Sequence, residues 1–333
     1  MKKIVIFGAT GNIGAYFVDY CFRNIDRDNY EVIAVGRKKT DFFEKNGIRY
    51  IQVDITEAKD FDKLPVDDIY AVVNLAGILP AYFKDYNPYV YIETNINGAI
   101  RILEYARTYG ADRVLYTQTW AEQGGYWGKY NVLKPDMPRK LVYTGDHAFY
   151  AITKSMIVDT MEYYKQEFGL KNFVFRLPNV YLYNPEKYYY VDGIKKPIGY
   201  RYMIDTAIKG EAIEMWGNPE AFKDVLYVKD LCQLMYKGLF AKVNGGIYNA
   251  GTGIKTTLRQ QIEGIVEVFS PCNKKSEIIE KPEGKSFTSF VMDISNAKID
   301  LGYEPEYTYY KYLEDYKKEQ ECKRFNELWK KRS

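Results

Sequence analysis

Six short apolar runs punctuate the first 177 residues of the chain. They are Lys2-Lys-Ile-Val-Ile-Phe7, Tyr30-Glu-Val-Ile-Ala-Val-Gly36, Ile48-Arg-Tyr-Ile-Gln-Val53, Ile69-Tyr-Ala-Val-Val-Asn-Leu75, Asp112-Arg-Val-Leu-Tyr-Thr117 and Asn172-Phe-Val-Phe-Arg-Leu177. Their length and β-branched content predict strands, the first of them buried. Helical stretches lie between them: Ala15 to Phe22, about Tyr91 to Tyr109, and His147 to Phe168. Strands alternating with helices at this spacing predict a parallel, doubly wound α/β sheet. Gly124 to Gly145 reads as a long loop, with glycines and two prolines.

From Asn179 the pattern changes. Asn184 to Pro197 is loop-like, followed by a helix near Tyr200–Lys209 and a short strand, Ala212–Trp216. Val225–Val228 and Ile247–Ala250 are apolar runs short enough to return to the first domain. Thr256 is expected to cap a helix running to about Phe269, and Leu313 to Trp329 reads as an amphipathic C-terminal helix. The division expected is residues 1–178, with returning segments near 222–250, and a smaller lobe from 179–221 and 251–333.

Between the first strand and the first helix stands Gly8-Ala-Thr-Gly11-Asn-Ile-Gly14. Glycines let a backbone approach a pyrophosphate, and a helix N-terminus offers unpaired N–H groups and partial positive charge. A tight turn with no ligand is the alternative. The second strand ends in Gly36-Arg37-Lys38 with no acid. An acid there would hold the adenosine ribose hydroxyls, whereas a base accommodates a 2′-phosphate, so NADP is expected in preference to NAD, with a solvated basic loop as the alternative.

Composition narrows the class. The chain of 333 residues can bury a sizeable core, and its net charge of +3 is too small to imply a nucleic-acid partner. Four scattered cysteines without a Cys-x-x-Cys pair and a single histidine disfavour a metal centre or a disulfide framework. No apolar run reaches ~18 residues, so no membrane span is expected, and the chain enters a strand at once, without a signal peptide. A cytoplasmic enzyme is the expectation.

Tyr150-Ala-Ile-Thr-Lys154 opens the long helix after the fifth strand. Four residues apart, the phenol and the ammonium share one helix face. A nearby cation favours the phenolate, so Tyr150 is a candidate proton-transfer group while hydride leaves the same carbon. Tyr-x-x-x-Lys recurs at Tyr130/Lys134, Tyr183/Lys187 and Tyr307/Lys311, but not at a helix start after a sheet strand. Thr119, at the carboxyl edge where such sheets bind ligands, is the candidate partner of the substrate oxygen, with a turn-forming hydroxyl as the alternative.

Taken together, Gly8-x-x-Gly11-x-x-Gly14, Asp54, Asn74-Leu-Ala-Gly77, Asn95, Thr119, Tyr150/Lys154, Arg176-Leu-Pro-Asn179-Val-Tyr181, Lys223-Asp224, Tyr248-Asn249 and the stretch from Asp293 to Pro305 resemble the extended short-chain dehydrogenase/reductases of the NAD-dependent epimerase/dehydratase kind. The resemblance covers almost the whole chain. It implies a Rossmann-like fold with a smaller C-terminal substrate-binding lobe. It implies a cofactor held by Gly8, Thr10, Gly11, Asn12, Ile13, Gly14, Arg37, Lys38, Asp54, Ile55, Leu75, Ala76, Gly77, Asn95, Tyr150, Lys154 and Pro178. Lys154 would also anchor the nicotinamide ribose. Asn179 and Lys223 would face the nucleotide part of a nucleotide-activated sugar. His147 is a candidate substrate contact or a hydrogen-bonded helix-start histidine. The two long helices resemble the family's four-helix dimer interface, with Ile157, Met161, Tyr164 and Phe168 at helical spacing on the second, so a homodimer is expected.

Departures from the family narrow the chemistry. Its dehydratases carry acids just after the catalytic Ser/Thr; here Trp120-Ala121 stand there, with Glu122 one further on. Its 3,5-epimerase/reductases carry a cysteine where Ala121 stands. What remains is oxidation or reduction at one carbinol, which is 4-epimerisation or 4-keto reduction. Gln118 replaces a common serine and Leu182 a common glycine. The competing readings are an NADP-dependent reductase of a small ketone or lactone, and a non-catalytic NADP-binding sensor.

Overall fold

The computed structural model describes residues 1–82, 84–145 and 147–329. Its centre is a parallel sheet of β1 (Lys2–Phe7), β2 (Tyr30–Gly36), β3 (Arg49–Gln52), β4 (Ile69–Asn74), β5 (Arg113–Thr119), β6 (Lys171–Leu177) and β7 (Gly245–Asn249). Spatial order is β7-β6-β5-β4-β1-β2-β3, with every pairing parallel. The order reverses at β1, between β4 and β2, which opens a crevice at the carboxyl ends of these strands.

Strand alternation splits the core into two layers. Ile4, Ile6, Ala71, Val73 and Leu115 face one way; Val5, Phe7, Val72 and Val114 face the other. Helices α1 (Asn12–Asn24), α2 (Ala99–Thr108), α3 (His147–Phe168), α4 (Gly199–Ile208), α5 (Val228–Phe240), α6 (Leu258–Phe269) and α7 (Tyr309–Cys322) cover both. Phe17 and Cys21 of α1 join the first layer with Leu231 and Leu234 of α5. Ile102 and Leu103 of α2 join the second with Ile157 and Met161 of α3. Around α4, α6 and α7 the core is rich in tyrosine: Tyr181 packs on Tyr200 and Tyr312, and Tyr316 on Tyr183 and Phe269.

Several elements depart from the pattern-based expectation. β5 runs two residues beyond Thr117, because pairing with β6 continues to Thr119 and Leu177. The helix expected over Tyr91–Tyr109 is divided into a single turn, Pro88–Tyr91, a π-helical segment, Ile92–Gly98, and α2. The stretch Asn184–Pro197 contains a hairpin, Tyr188–Val191 with Ile194–Pro197. Asp192 and Gly193 turn it, both at positive φ (48° and 75°), which is the Asp-Gly hairpin turn. Thr257, not Thr256, caps α6, in a reciprocal capping box with Gln260. Thr256 instead pairs with Lys223. The C-terminal helix ends at Cys322, where Lys323 turns left-handed (φ 50°), and a short turn, Asn326–Trp329, follows.

Candidate functional site

The crevice is built first from glycine. β1 delivers the chain to Gly8 at φ 81°, where a Cβ would lie 2.6 Å from the nitrogen of Ala76. A Cβ on Gly14 would lie 2.0 Å from the carbonyl oxygen of Gly8. Gly11 donates its N–H to that same carbonyl at 2.9 Å and starts α1 without a side-chain cap. The first turn of α1, with no side-chain cap from Gly11, stands at the head of the crevice, where a helix N-terminus suits an anion.

A cleft of about 340 Å³ runs from this turn across the sheet's switch point. It gathers Gly8, Thr10, Gly11, Arg37, Lys38, Asp54, Ile55, Leu75, Ala76 and Gly77 from four separate loops. Phe7, Val35, Gly36, Val53, Ile78 and Thr94 line it too. Sequence reasoning missed these six; all but Val35 stand directly beside a residue it named. Asn12, Ile13, Gly14, Asn95, Tyr150, Lys154 and Pro178 lie outside this lining.

Individual roles are more constrained than the motifs suggest. Lys38 donates its ammonium to the carbonyl of Leu328, in the C-terminal turn. Arg37 is exposed at the tip of β2, and its guanidinium has no protein partner among the described residues. Asp54 accepts from the N–H (3.0 Å) and the hydroxyl (2.8 Å) of Thr56 through one oxygen, which shapes its own turn. Asn95 is buried and stitches the loop after β4 in place. Its Oδ1 accepts from Ile78 N–H at 2.8 Å, and its Nδ2 donates to Ile78 O at 3.2 Å and to Thr153 Oγ1 on α3 at 3.3 Å. The π-helical segment turns Asn95 inward; such segments are frequent at functional sites.

Tyr150 and Lys154 face inward from the first turns of α3, 9% and 5% exposed. Tyr150 packs in a small cluster with Ile78, Tyr91 and Phe149. The ammonium of Lys154 lies 3.9 Å from the ring centroid of Tyr116, and it has no carboxylate partner among the described residues. Burial pulls its pKa down to about 7. Without a counter-charge, burial is the one cause of this shift. Burial pushes Tyr116 well up, so that phenol stays protonated.

Thr119 ends β5. Its Oγ1 accepts from Ala121 N–H at 3.2 Å and caps the 3₁₀ turn Trp120–Tyr126. The turn-forming reading holds, and the hydroxyl's own proton has no protein acceptor among the described residues. His147 is exposed at the start of α3, with its ring edge-on to Tyr150 at 6.3 Å. Pro178 is buried and Asn179 exposed just beyond β6. Lys223 lies with its ammonium 4.2 Å from the Phe287 ring, and burial lowers its pKa to about 8. An aromatic group stands beside Lys223: Trp120 stacks on Trp127 at 4.1 Å and packs on Phe290 at 4.2 Å, and the backbone of Phe290 bridges to that of Lys223.

Glu122 is spent elsewhere. It is 2% exposed and pairs with the equally buried Arg176 at 2.5 Å. Removing one partner of such a pair costs about 3–5 kcal/mol, because the other charge is stranded. This acid is a structural anchor beneath the site.

The family model for the NAD-dependent epimerase/dehydratase family matches residues 4–251. A Methanocaldococcus jannaschii protein, named provisionally as a UDP-glucose 4-epimerase, is 26% identical over 310 residues, covering 91% of this chain and 93% of that one. UDP-glucuronic acid decarboxylase 6 of Arabidopsis thaliana is 26% identical over 321 residues, covering 91% and 84%. Among solved structures, UDP-glucuronic acid 4-epimerase of Bacillus cereus in complex with NAD shares the fold, with a TM-score of 0.70, 20% identity, and coverage of 95% and 97%. With its glycine cradle, its switch-point cleft and a family match across three-quarters of its length, this chain belongs to the NAD-dependent epimerase/dehydratase family.

Proposed function

We propose that this protein is a nicotinamide-dependent 4-epimerase, or 4-keto reductase, of a nucleotide-activated sugar. The observation that carries the reading is that Glu122, the acid nearest Thr119 in the sequence, is locked to Arg176 while Ala121 stands between them, which leaves Tyr150, Lys154 and Thr119 as the proposed proton-transfer set. The names of the relatives, UDP-sugar 4-epimerases among them, support it.

The cradle fits a dinucleotide. A Cβ at Gly8 would strike the backbone of Leu75 and Ala76, and one at Gly14 that of Gly8, so glycine lets the turn close this tightly at the head of α1, whose N-terminus suits the phosphates. Gly8, Gly11, Asn12 and Ile13 would hold the pyrophosphate, Asp54 and Ile55 the adenine side, and Leu75 to Gly77 the middle. When bound, the nicotinamide supplies a hydride acceptor or donor. Tyr150 removes the proton from the substrate hydroxyl and, in the reverse step, returns it to the carbonyl oxygen. Thr119 donates its free proton to the same oxygen and fixes its direction. Lys154 lowers the cost of the phenolate in the site. Trp120 and Phe290 exclude water on the far side, and Asn179, Lys223 and His147 stand at the nucleotide and sugar ends. We assign the substrate lobe to 179–221 and 251–333, and the four unpaired cysteines fit the reducing cytoplasm.

The test is turnover of UDP-glucose, UDP-N-acetylglucosamine and UDP-glucuronic acid by the purified protein, followed by NMR of the sugar. Inversion at C4 with tightly retained oxidised cofactor is expected of an epimerase, and consumption of NADPH by a 4-keto sugar of a reductase. Inertness toward all three and toward 4-keto sugars overturns the reading.

The cofactor is expected to be NADP in preference to NAD. With Lys38 engaged by Leu328, Arg37 is the cation left for a 2′-phosphate. A hydrogen bond to a charged group contributes about 1.5–3 kcal/mol, so Arg37→Asp should weaken NADPH binding by about 10- to 100-fold and leave NADH nearly unchanged. Titration calorimetry that finds NADH bound as tightly by the wild type rejects this.

A homodimer is expected through α3, though not through the stripe read from sequence. Ile157, Met161 and Tyr164 are consumed by the chain's own core; Phe168 stays exposed. The outward stripe is Ile152, Met156 and Tyr163, with Met156 45% exposed. Light scattering at micromolar concentration should give twice the chain mass, and Met156→Glu should halve it. A monomeric wild type refutes the dimer.

A further inference from the structure

We propose that Gln118 is a positioning residue that sets Thr119 in register with the helix bearing Tyr150 and Lys154, and that the task requires a carboxamide. The proposal rests on the roles given above to those three residues. Gln118 is the penultimate residue of β5 and 1% exposed. Its Oε1 accepts the N–H of Thr119 at 2.8 Å. Its Nε2 donates to Glu122 Oε2 at 2.9 Å and to Ser155 Oγ at 3.2 Å. Ser155 directly follows Lys154. One side chain thus ties the end of β5, the turn at Trp120 and the catalytic helix together.

The anchor behind it is rigid. Gln118 stands opposite Arg176 on β6, and Arg176 opposite Asn249 on β7, so the three form a row on one face of the sheet. Arg176 donates to Glu122 and, at 2.8 Å, to Asn249 Oδ1; Asn249 Nδ2 donates to Leu133 O at 2.8 Å. A buried polar network with its bonds made is stiff and specifies one geometry.

The chemistry at position 118 is narrow. The side chain must accept at one atom and donate at the other. A neutral amide does both. A carboxylate has no donor and would confront Glu122. A serine is too short to span the two contacts, and a methionine offers neither bond.

The test compares Gln118→Met and Gln118→Glu with the wild type at pH 5.5 and 8.5, on the sugar that the wild type converts. Misplacement of a reacting group by about 1 Å costs up to about 100-fold, so Gln118→Met should lose about 10-fold or more in kcat at both pH values. KM and the cofactor Kd should stay within about threefold, since no ligand contact is removed. Gln118→Glu should recover as the pH falls, because the protonated carboxyl again donates to Glu122 and accepts from Thr119. A side chain that merely fills space gives no such recovery. Ser155→Ala, a small and fold-safe change, should show a smaller loss of the same kind. Unchanged kcat in Gln118→Met, a pH profile of Gln118→Glu parallel to that of the wild type, or losses in cofactor Kd equal to those in kcat overturn the proposal. Should the wild type convert no sugar, the proposed function fails, yet crystal structures still decide this point: Thr119 shifted against α3 in Ser155→Ala or Gln118→Met supports it, and Thr119 unmoved in both overturns it.

Discussion

Tyr150→Phe should lower kcat by roughly 10²–10⁴ while leaving the fold and cofactor affinity nearly unchanged, because positioned proton transfer contributes about that much. The substitution deletes one hydroxyl. The ring keeps its contacts with Ile78, Tyr91 and Phe149, so no cavity opens. The other Tyr-x-x-x-Lys tyrosines provide the controls. Tyr130 is exposed in the loop after the 3₁₀ turn, and Tyr307 packs at 4.9 Å on the buried Tyr227. Phenylalanine at either should leave turnover intact. Steady-state kinetics with the converted sugar, alongside calorimetric cofactor titration, reads both quantities. Retention of more than half the wild-type activity in Tyr150→Phe would reject the assignment and send the search to the remaining tyrosines.

Lys154→Met should act in opposite directions on function and on stability. Turnover and cofactor affinity should both fall, since the amine is assigned to the phenolate and to the ribose hydroxyls. Stability of the protein alone should rise. The amine is buried against the face of Tyr116, an interaction of about 2 kcal/mol, with no carboxylate among the described residues to offset desolvation of its charge. Its pKa falls from 10.5 to about 7 on folding. Between those values the unfolded chain binds more protons than the folded one, so the stability linked to this group increases with pH across about 7 to 10.5. Below pH 7 both states are charged and the full burial penalty stands; above 10.5 neither is. Methionine removes the penalty. The gain in Tm should therefore be largest below pH 7 and vanish toward pH 10.5. A thermal-shift series that shows a lower Tm for the variant at pH 6.5, or a difference independent of pH, contradicts this account. Such opposition is expected where a strained group is kept for its chemistry.

The primary sequence determined the frame of this protein. All seven sheet strands and α3 lie within two residues of where hydrophobic pattern placed them, because a strand buried on both faces must be apolar and a helix face repeats every 3.6 residues. β6 and β7 were equally visible as runs, though partners in a sheet are not written in either run. Gly8 and Gly14 were legible because no side chain fits where β1 meets α1 and the loop after β4. Tyr150 and Lys154 stood out through their spacing of one helical turn together with their place at a helix start after the fifth strand, since the spacing alone recurs elsewhere.

The tertiary structure decided what each polar group is free to do. Lys38 and Arg37 are neighbours of one charge in the sequence, but the C-terminal turn, some 290 residues away, takes the first and leaves the second. Glu122 reads as a spare acid beside Thr119 until β6 brings Arg176 against it. Ile157, Met161 and Tyr164 read as an interface stripe until α2 and the sheet close over them. The charge of Lys154 is a property of its burial. In every case the deciding quantity is desolvation or a long-range partner. Both depend on which distant segments pack together, and a local pattern of residue types does not contain that.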